Sequence, residues 1–262
     1  YIRKYNQVLS GFVDSQTLID ATGCASSVAV RYGSRQFIFT ARTWSGFDNS
    51  ELVSSPVFEI IGTTVVEIES MRAAVPRAID VAAVESNEAI YVAYASELST
   101  SKVFVYRSGI LGSPTVIDVA IGQGALFSHL FKSNDFLYAI FCSVSTMSSM
   151  CNLYNIQEKS AQLLQTISTP FAISDSDVFT VSSGQVFLSL SPKLYLWNND
   201  LRSFALHADV GSDVTNAKHV YIGSSDLLVT FSPGTSSASA TVTTGTNPPQ
   251  RSFLASKGVM QG

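Results

Sequence analysis

The sequence predicts an all-β chain folded as a β-propeller of five four-stranded blades. Three observations lead there. The apolar runs are short and of strand length, the same order of four runs recurs five times, and no apolar pattern of period 3.6 extends over a helical length.

The clearest runs are QFIFTA (36–41), AIYVAY (89–94), FLYAIF (136–141), QVFLSL (185–190) and DLLVTF (226–231). They are rich in β-branched and aromatic residues, and Ile38, Tyr91, Tyr138, Phe187 and Leu228 align at spacings of 53, 47, 49 and 41. Each follows a polar turn of Gly, Ser, Asn and Asp, the residues a tight hairpin needs: YGSR, ESNE, KSND, VSSG and IGSS. Before the turns lie SVAVR (27–31), DVAAV (80–84), SHLFK (128–132), DVFTV (177–181) and KHVYI (218–222). These are the first strands of the repeat, and the longer runs are the second. Third strands carry an aromatic, at Tyr5, Phe58, Tyr106, Tyr154 and Trp197, spaced by 53, 48, 48 and 43. Fourth strands follow at 11–18, 65–70, 115–120, 161–167 and 203–209.

Four strands at this period make a propeller blade, because one such sheet has two apolar faces and buries both only between neighbours. The repeats run approximately over 1–54, 55–101, 102–150, 151–192 and 193–233, within one domain over 1–244. The chain begins on a third strand and the last repeat supplies a first and second. The N-terminal pair is therefore expected to complete the last blade and close the ring, leaving no free edge. In the competing reading SSASATVTT (236–244) is the third strand of that blade. The segment 245–262 lacks periodicity, contains Pro-Pro, and is expected to be a surface tail.

Charged residues are only 14% of the chain, against about 25% in typical globular proteins, and Ser and Thr take their place. A neutral, hydroxyl-rich surface points to an extracellular or cell-surface protein. The net charge of −4 and the lack of any Lys/Arg run exclude a nucleic-acid footprint. No apolar run approaches the roughly 18 residues of a bilayer-crossing helix, so no membrane insertion is expected. No signal peptide is visible, and the opening YIRKYNQ already reads as strand, as in a mature or excised fragment.

The order of an aromatic third strand, a fourth strand with Phe or Leu and Gln, a Thr/Gly link, a short strand, a polar turn and an apolar strand resembles the EAR repeat, also called the EPTP or epitempin repeat. The stretches that carry it are 2–41, LYNIQEKSAQLLQTISTP (153–170) and KLYLWNNDLRSFAL (193–206), and five copies cover 1–233. The resemblance implies an extracellular propeller that binds protein partners, and it brings no catalytic residues. Family members have seven blades where this chain shows five units.

The links from second to third strands vary in length, and loops on a rigid scaffold carry function. The longest, 42–55, holds Arg42, Trp44, Phe47, Asp48 and Glu51, and Arg and aromatics are favoured binding anchors. Trp44 and Phe47 folded back onto the blade is the plainer alternative. First strands should line the central channel with Arg31, Asp80, His129, Asp177, Lys218 and His219. Asp80 and Asp177 are the candidate acid and base or nucleophile of a carbohydrate-directed propeller, lectin or glycoside hydrolase. Solvated channel carboxylates are the simpler reading. His129, His207 and His219 lack ligand spacing, so no metal is expected, and no motif calls for a cofactor. GQG (122–124) reads as a lone turn. Of the three cysteines, Cys142 and Cys151 flank SVSTMSSM and would face each other across a hairpin as a disulfide, or stay two buried thiols; Cys24 is the odd one. The expectation is a non-enzymatic module binding an extracellular protein partner, with the carbohydrate-directed propeller as the alternative.

Overall fold

The computed structural model describes residues 3–6, 11–14, 23–43, 54–86, 89–98, 100–107, 114–119, 124–211, 214, 216–222, 225–231, 238–242 and 250–252. They form 24 strands and one 3-10 turn. A two-stranded sheet pairs β1 (Arg3–Asn6) with β2 (Gly11–Asp14). Five four-stranded antiparallel sheets follow, and the fold is all-β and propeller-like.

The first sheet is β3 (Cys24–Tyr32), β4 (Arg35–Arg42), β6 (Val57–Ile61) and β7 (Thr64–Glu67). Beside it, β5 (Ser54–Ser55) pairs with β8 (Ala73–Ala74). The second sheet is β9 (Ala78–Glu85), β10 (Ala89–Ser96), β11 (Ser101–Arg107) and β12 (Thr115–Val119). The third is β13 (Phe127–Ser133), β14 (Phe136–Val144), β15 (Ser149–Ile156) and β16 (Ala161–Thr169). The fourth is β17 (Ser176–Thr180), β18 (Val186–Leu190), β19 (Lys193–Asn198) and β20 (Ser203–Asp209). The fifth is β21 (Asn216–Ile222), β22 (Ser225–Phe231), β23 (Ala238–Val242) and β24 (Gln250–Ser252).

The strands form two compact units, one of 1–143 with 154–162 and one of 144–153 with 163–262. In the first unit the alternation of a strand decides the packing. Ile90, Val92 and Tyr94 of β10 join Phe37, Phe39 and Val57 in one core cluster. The intervening Ala89, Ala93 and Ala95 join Leu137, Ala139 and Phe141 in another. The second sheet thus buries both faces, as its near-continuous apolar strands require. The repeated aromatic is buried at Phe58, Tyr106, Tyr154 and Trp197. Tyr106 also donates its hydroxyl to the Met71 carbonyl at 2.9 Å. In the second unit Phe179, Phe187 and Leu194 pack with Val214, Ala217 and Leu228.

Three expectations are corrected. The N-terminal strands do not complete the last blade, because the fifth sheet takes β23 and β24 as its third and fourth strands. A strand that follows directly on β22 closes a short loop, whereas the N-terminal pair lies some 200 residues away in sequence. The segment 245–262 is not wholly a tail, since it contributes β24. The fourth strand expected over 65–70 ends at Glu67 and turns into a 3-10 segment at Glu69–Met71, which buries Met71.

Candidate functional site

Two places were expected to carry function, the first strands and the links between second and third strands. In the first unit, first strands of successive sheets are tied by one side chain. Asp80 of β9 accepts the Ser26 hydroxyl of β3 on Oδ1 at 2.7 Å. Its Oδ2 accepts the Ser128 amide of β13 at 2.8 Å and the Ser128 hydroxyl at 3.3 Å. Three sheets are therefore joined through one carboxylate.

The second unit repeats the device with other residues. Asp226, at the start of β22, is buried and accepts the Ser182 amide at 2.9 Å together with the Ser182 hydroxyl. Its other oxygen lies 2.9 Å from His219 Nε2. The Ser182 hydroxyl, then its amide, then the imidazole hold the Asp226 carboxyl below the usual range, against the opposing pull of burial. The His219 ring lies flat against Phe179, with centroids 4.7 Å apart and planes within 1°. Asp177 Oδ2 accepts the His219 amide at 3.5 Å, and Lys218 pairs with Asp175 at 3.0 Å.

Asp80 thus lies in the first unit and Asp177 in the second, each turned to a neighbouring strand. Both oxygens of Asp80 are already accepting hydrogen bonds, which is the work of a clamp. Arg31 donates Nε to the Gly33 carbonyl of its own turn at 3.1 Å. Asp226 and Ser182 escaped the sequence reading, because one sits in an apolar run and the other in a polar turn. The available signal was an Asp opening a second strand one repeat after a Ser turn.

The links show a second recurring relationship. Second-to-third links are hydrogen-bonded to fourth-to-first links in both units. The Ser96 hydroxyl donates to the Pro76 carbonyl at 2.7 Å, and Arg77 pairs with Glu97 at 2.8 Å. The Ser149 hydroxyl donates to the Phe171 carbonyl at 3.2 Å and accepts the Ile173 amide at 2.8 Å. Gly124 belongs to this seam: a Cβ there would lie 1.6 Å from the Glu97 carbonyl oxygen. The glycine of GQG is therefore a close backbone crossing.

Of the 42–55 link, Arg42 ends β4 and donates its amide to the Ser55 hydroxyl at 3.0 Å. Trp44, Phe47, Asp48 and Glu51 lie outside the described residues. The link between β14 and β15 is a tight hairpin. The Ser145 amide donates to the Ser148 carbonyl at 2.8 Å, and the Ser145 hydroxyl accepts the Ser148 amide at 3.1 Å. Met147 at its tip is 80% exposed, the highest value among the exposed large apolar side chains described. Cys142 and Cys151, at the base of this hairpin, are disulfide-bonded, and Cys24 is free. Met147 was overlooked in the sequence because SVSTMSSM reads as polar spacer. Among the described residues no group of three or more His, Cys, Asp or Glu is placed to hold a metal ion, and no helix is long and apolar enough to cross a membrane.

No family model matches the chain, and no curated protein does. Among solved structures it is similar to the crystal structure of a protein from Lactobacillus plantarum, a structural-genomics target. The two share 12% identity at a TM-score of 0.63, over 95% of this chain and 75% of that one.

Proposed function

We propose that the chain is a non-enzymatic interaction module of an extracellular or cell-surface protein, binding a protein partner through its second-to-third links. The observation that carries this reading is the hairpin at 145–148. An apolar side chain that is 80% exposed sits on a turn fixed by its own serines, above two disulfide-bonded cysteines. A tip ordered before binding loses little entropy on binding, and a flexible thioether adapts to an apolar pocket. The disulfide-bonded cysteines support an oxidising compartment. The Arg and aromatics of the 42–55 link, Arg42, Trp44 and Phe47, are the expected second contact of the same class of link.

The carbohydrate-directed reading needs carboxylates free to face a sugar, and Asp80 is engaged on both oxygens. The test is a screen of the purified chain against arrayed extracellular domains and, in parallel, arrayed glycans. For a protein ligand so found, Met147→Ser and Trp44→Ala should each weaken binding about tenfold or more, with melting temperature unchanged. A glycan ligand whose binding survives both substitutions would replace this reading with the carbohydrate one.

A further inference from the structure

We propose that Cys24 is a thiol-modification site that takes a small carboxylate-bearing thiol, of the cysteine or glutathione kind, as a mixed disulfide. Cys24 is free and partly exposed, whereas Cys142 and Cys151 are disulfide-bonded and buried. An oxidising compartment holds small disulfides, and an accessible unpaired thiol is the group they exchange with. That setting, which rests on the reading of the compartment given above, supplies the co-reactant.

Two features mark Cys24 out. The first is a bulge. Along the β3–β4 pair the register runs Val28 to Phe39, Ser27 to Thr40 and Ser26 to Ala41, which would set Ala25 opposite Arg42. The register shifts between Cys24 and Ser26, and Cys24 stands opposite Arg42 instead. Bulges re-aim side chains in this way beside functional sites. Directly opposed residues have Cβ atoms about 5 Å apart, so the guanidinium is in reach of a carboxylate carried by a small thiol on the Cys24 sulfur. The backbone on either side is held. The Gly23 carbonyl accepts the Thr43 amide and hydroxyl, each at 2.8 Å, and the Ser26 hydroxyl donates to Asp80 at 2.7 Å.

The second feature is Tyr94. Its hydroxyl is fully buried and has no hydrogen-bond partner among the described residues. Burial acts most strongly on this phenol and raises it, and the neighbours that act on it next are Tyr106 and Cys24. Tyr106 has given its own hydroxyl to the Met71 carbonyl. A buried donor without an acceptor calls for an explanation, and the Cys24 sulfur becomes an acceptor when it sheds its proton to react.

In the exchange the Cys24 sulfur releases its proton to solvent and attacks one sulfur of a small symmetric disulfide. The bond between the two small sulfurs breaks and a bond from Cys24 to the first one forms. The second leaves as a thiolate and takes up a proton. Cys24 is oxidised and half of the small disulfide is reduced, so no further oxidant enters.

The test is intact mass and peptide mapping of the full chain incubated with cystine and, in parallel, with cystamine, which carries ammonium groups and no carboxylate. One cysteine unit should be added, at Cys24, and be lost on mild reduction. Normalised to the reaction of each reagent with 2-mercaptoethanol, cystine should react about fivefold faster than cystamine. Arg42→Gln should remove that preference, and Tyr94→Phe should slow both reagents about threefold. An unmodified Cys24, a disulfide-linked dimer through Cys24 in place of the adduct, or equal normalised rates for the two reagents overturns the proposal. All three are read on the wild-type chain, so they hold even where a variant fails to fold. None of them bears on binding through the 145–148 hairpin, so that reading is tested separately.

Discussion

Asp226 receives both the amide and the hydroxyl of Ser182, a residue 44 positions earlier, so the turn of one sheet is fastened to the second strand of the next. The folded carboxyl lies below its ordinary value. Its contribution is therefore complete above the unfolded carboxyl value of about 3.9 and is lost as the pH falls from there through the folded value. Urea titrations at stepped pH should show this limb in the wild type and a flatter one in Asp226→Asn. At neutral pH, Asp226→Ala should cost about 1–2 kcal/mol, because it removes the buried carboxylate that accepts the Ser182 amide and hydroxyl and faces His219.

Asp80 should behave as a structural residue. Removing it as Asp80→Ala takes acceptors from Ser26 and Ser128 on two different sheets, for a loss of about 2–3 kcal/mol. Asp80→Asn keeps one acceptor oxygen and should lose less. Chemical denaturation of the two variants reads the difference, and equal losses would count against the clamp.

Two buried tyrosines make a matched pair. Tyr106 gives its hydroxyl to Met71, whereas the fully buried Tyr94 hydroxyl meets no hydrogen-bond partner among the described residues. Tyr106→Phe should cost about 1–2 kcal/mol, and Tyr94→Phe should cost nothing or stabilise. Burial raises both phenols. Stability is then whole below the unfolded phenol value of about 10 and falls as the pH rises toward the folded ones. Either substitution should shallow that alkaline limb in thermal melts.

Gly124→Ala should be among the most damaging small changes, at about 3 kcal/mol or more, since the added carbon would enter the backbone of Glu97. A melting temperature within a degree of wild type would refute the crossing.

The repeat was legible because burial on both faces writes a continuous apolar run into every second strand, and the same positions recur as Tyr91, Tyr138 and Phe187. The buried aromatics of the third strands were legible for the same reason. The last blade was not. β23 reads ASATV, with no aromatic to mark it as a third strand, and β24 is only QRS. The clamps were half visible. Asp80 stood out as a polar residue on a first strand, but its partners lie 48 and 54 residues away, and nothing local distinguishes a shared carboxylate from a solvated one. Gln165 looked like an ordinary polar residue on an outer strand, because its partner is the backbone of Phe204.

The bonds that join neighbouring sheets also bear on how the chain reaches its fold. Ser26 to Asp80 spans 54 residues, Asp80 to Ser128 spans 48, Ser182 to Asp226 spans 44 and Gln165 to Phe204 spans 39. Loop-closure entropy varies with the logarithm of length, so the longest and shortest of these differ by only about 0.3 kcal/mol. No junction has an entropic head start over another. Folding is then free to begin at any repeat and to grow by recruiting the adjacent one, as in a linear chain of coupled units. A clamp substitution such as Asp80→Ala acts in that picture as a break in propagation, slowing the spread of structure across its own junction and leaving initiation elsewhere untouched.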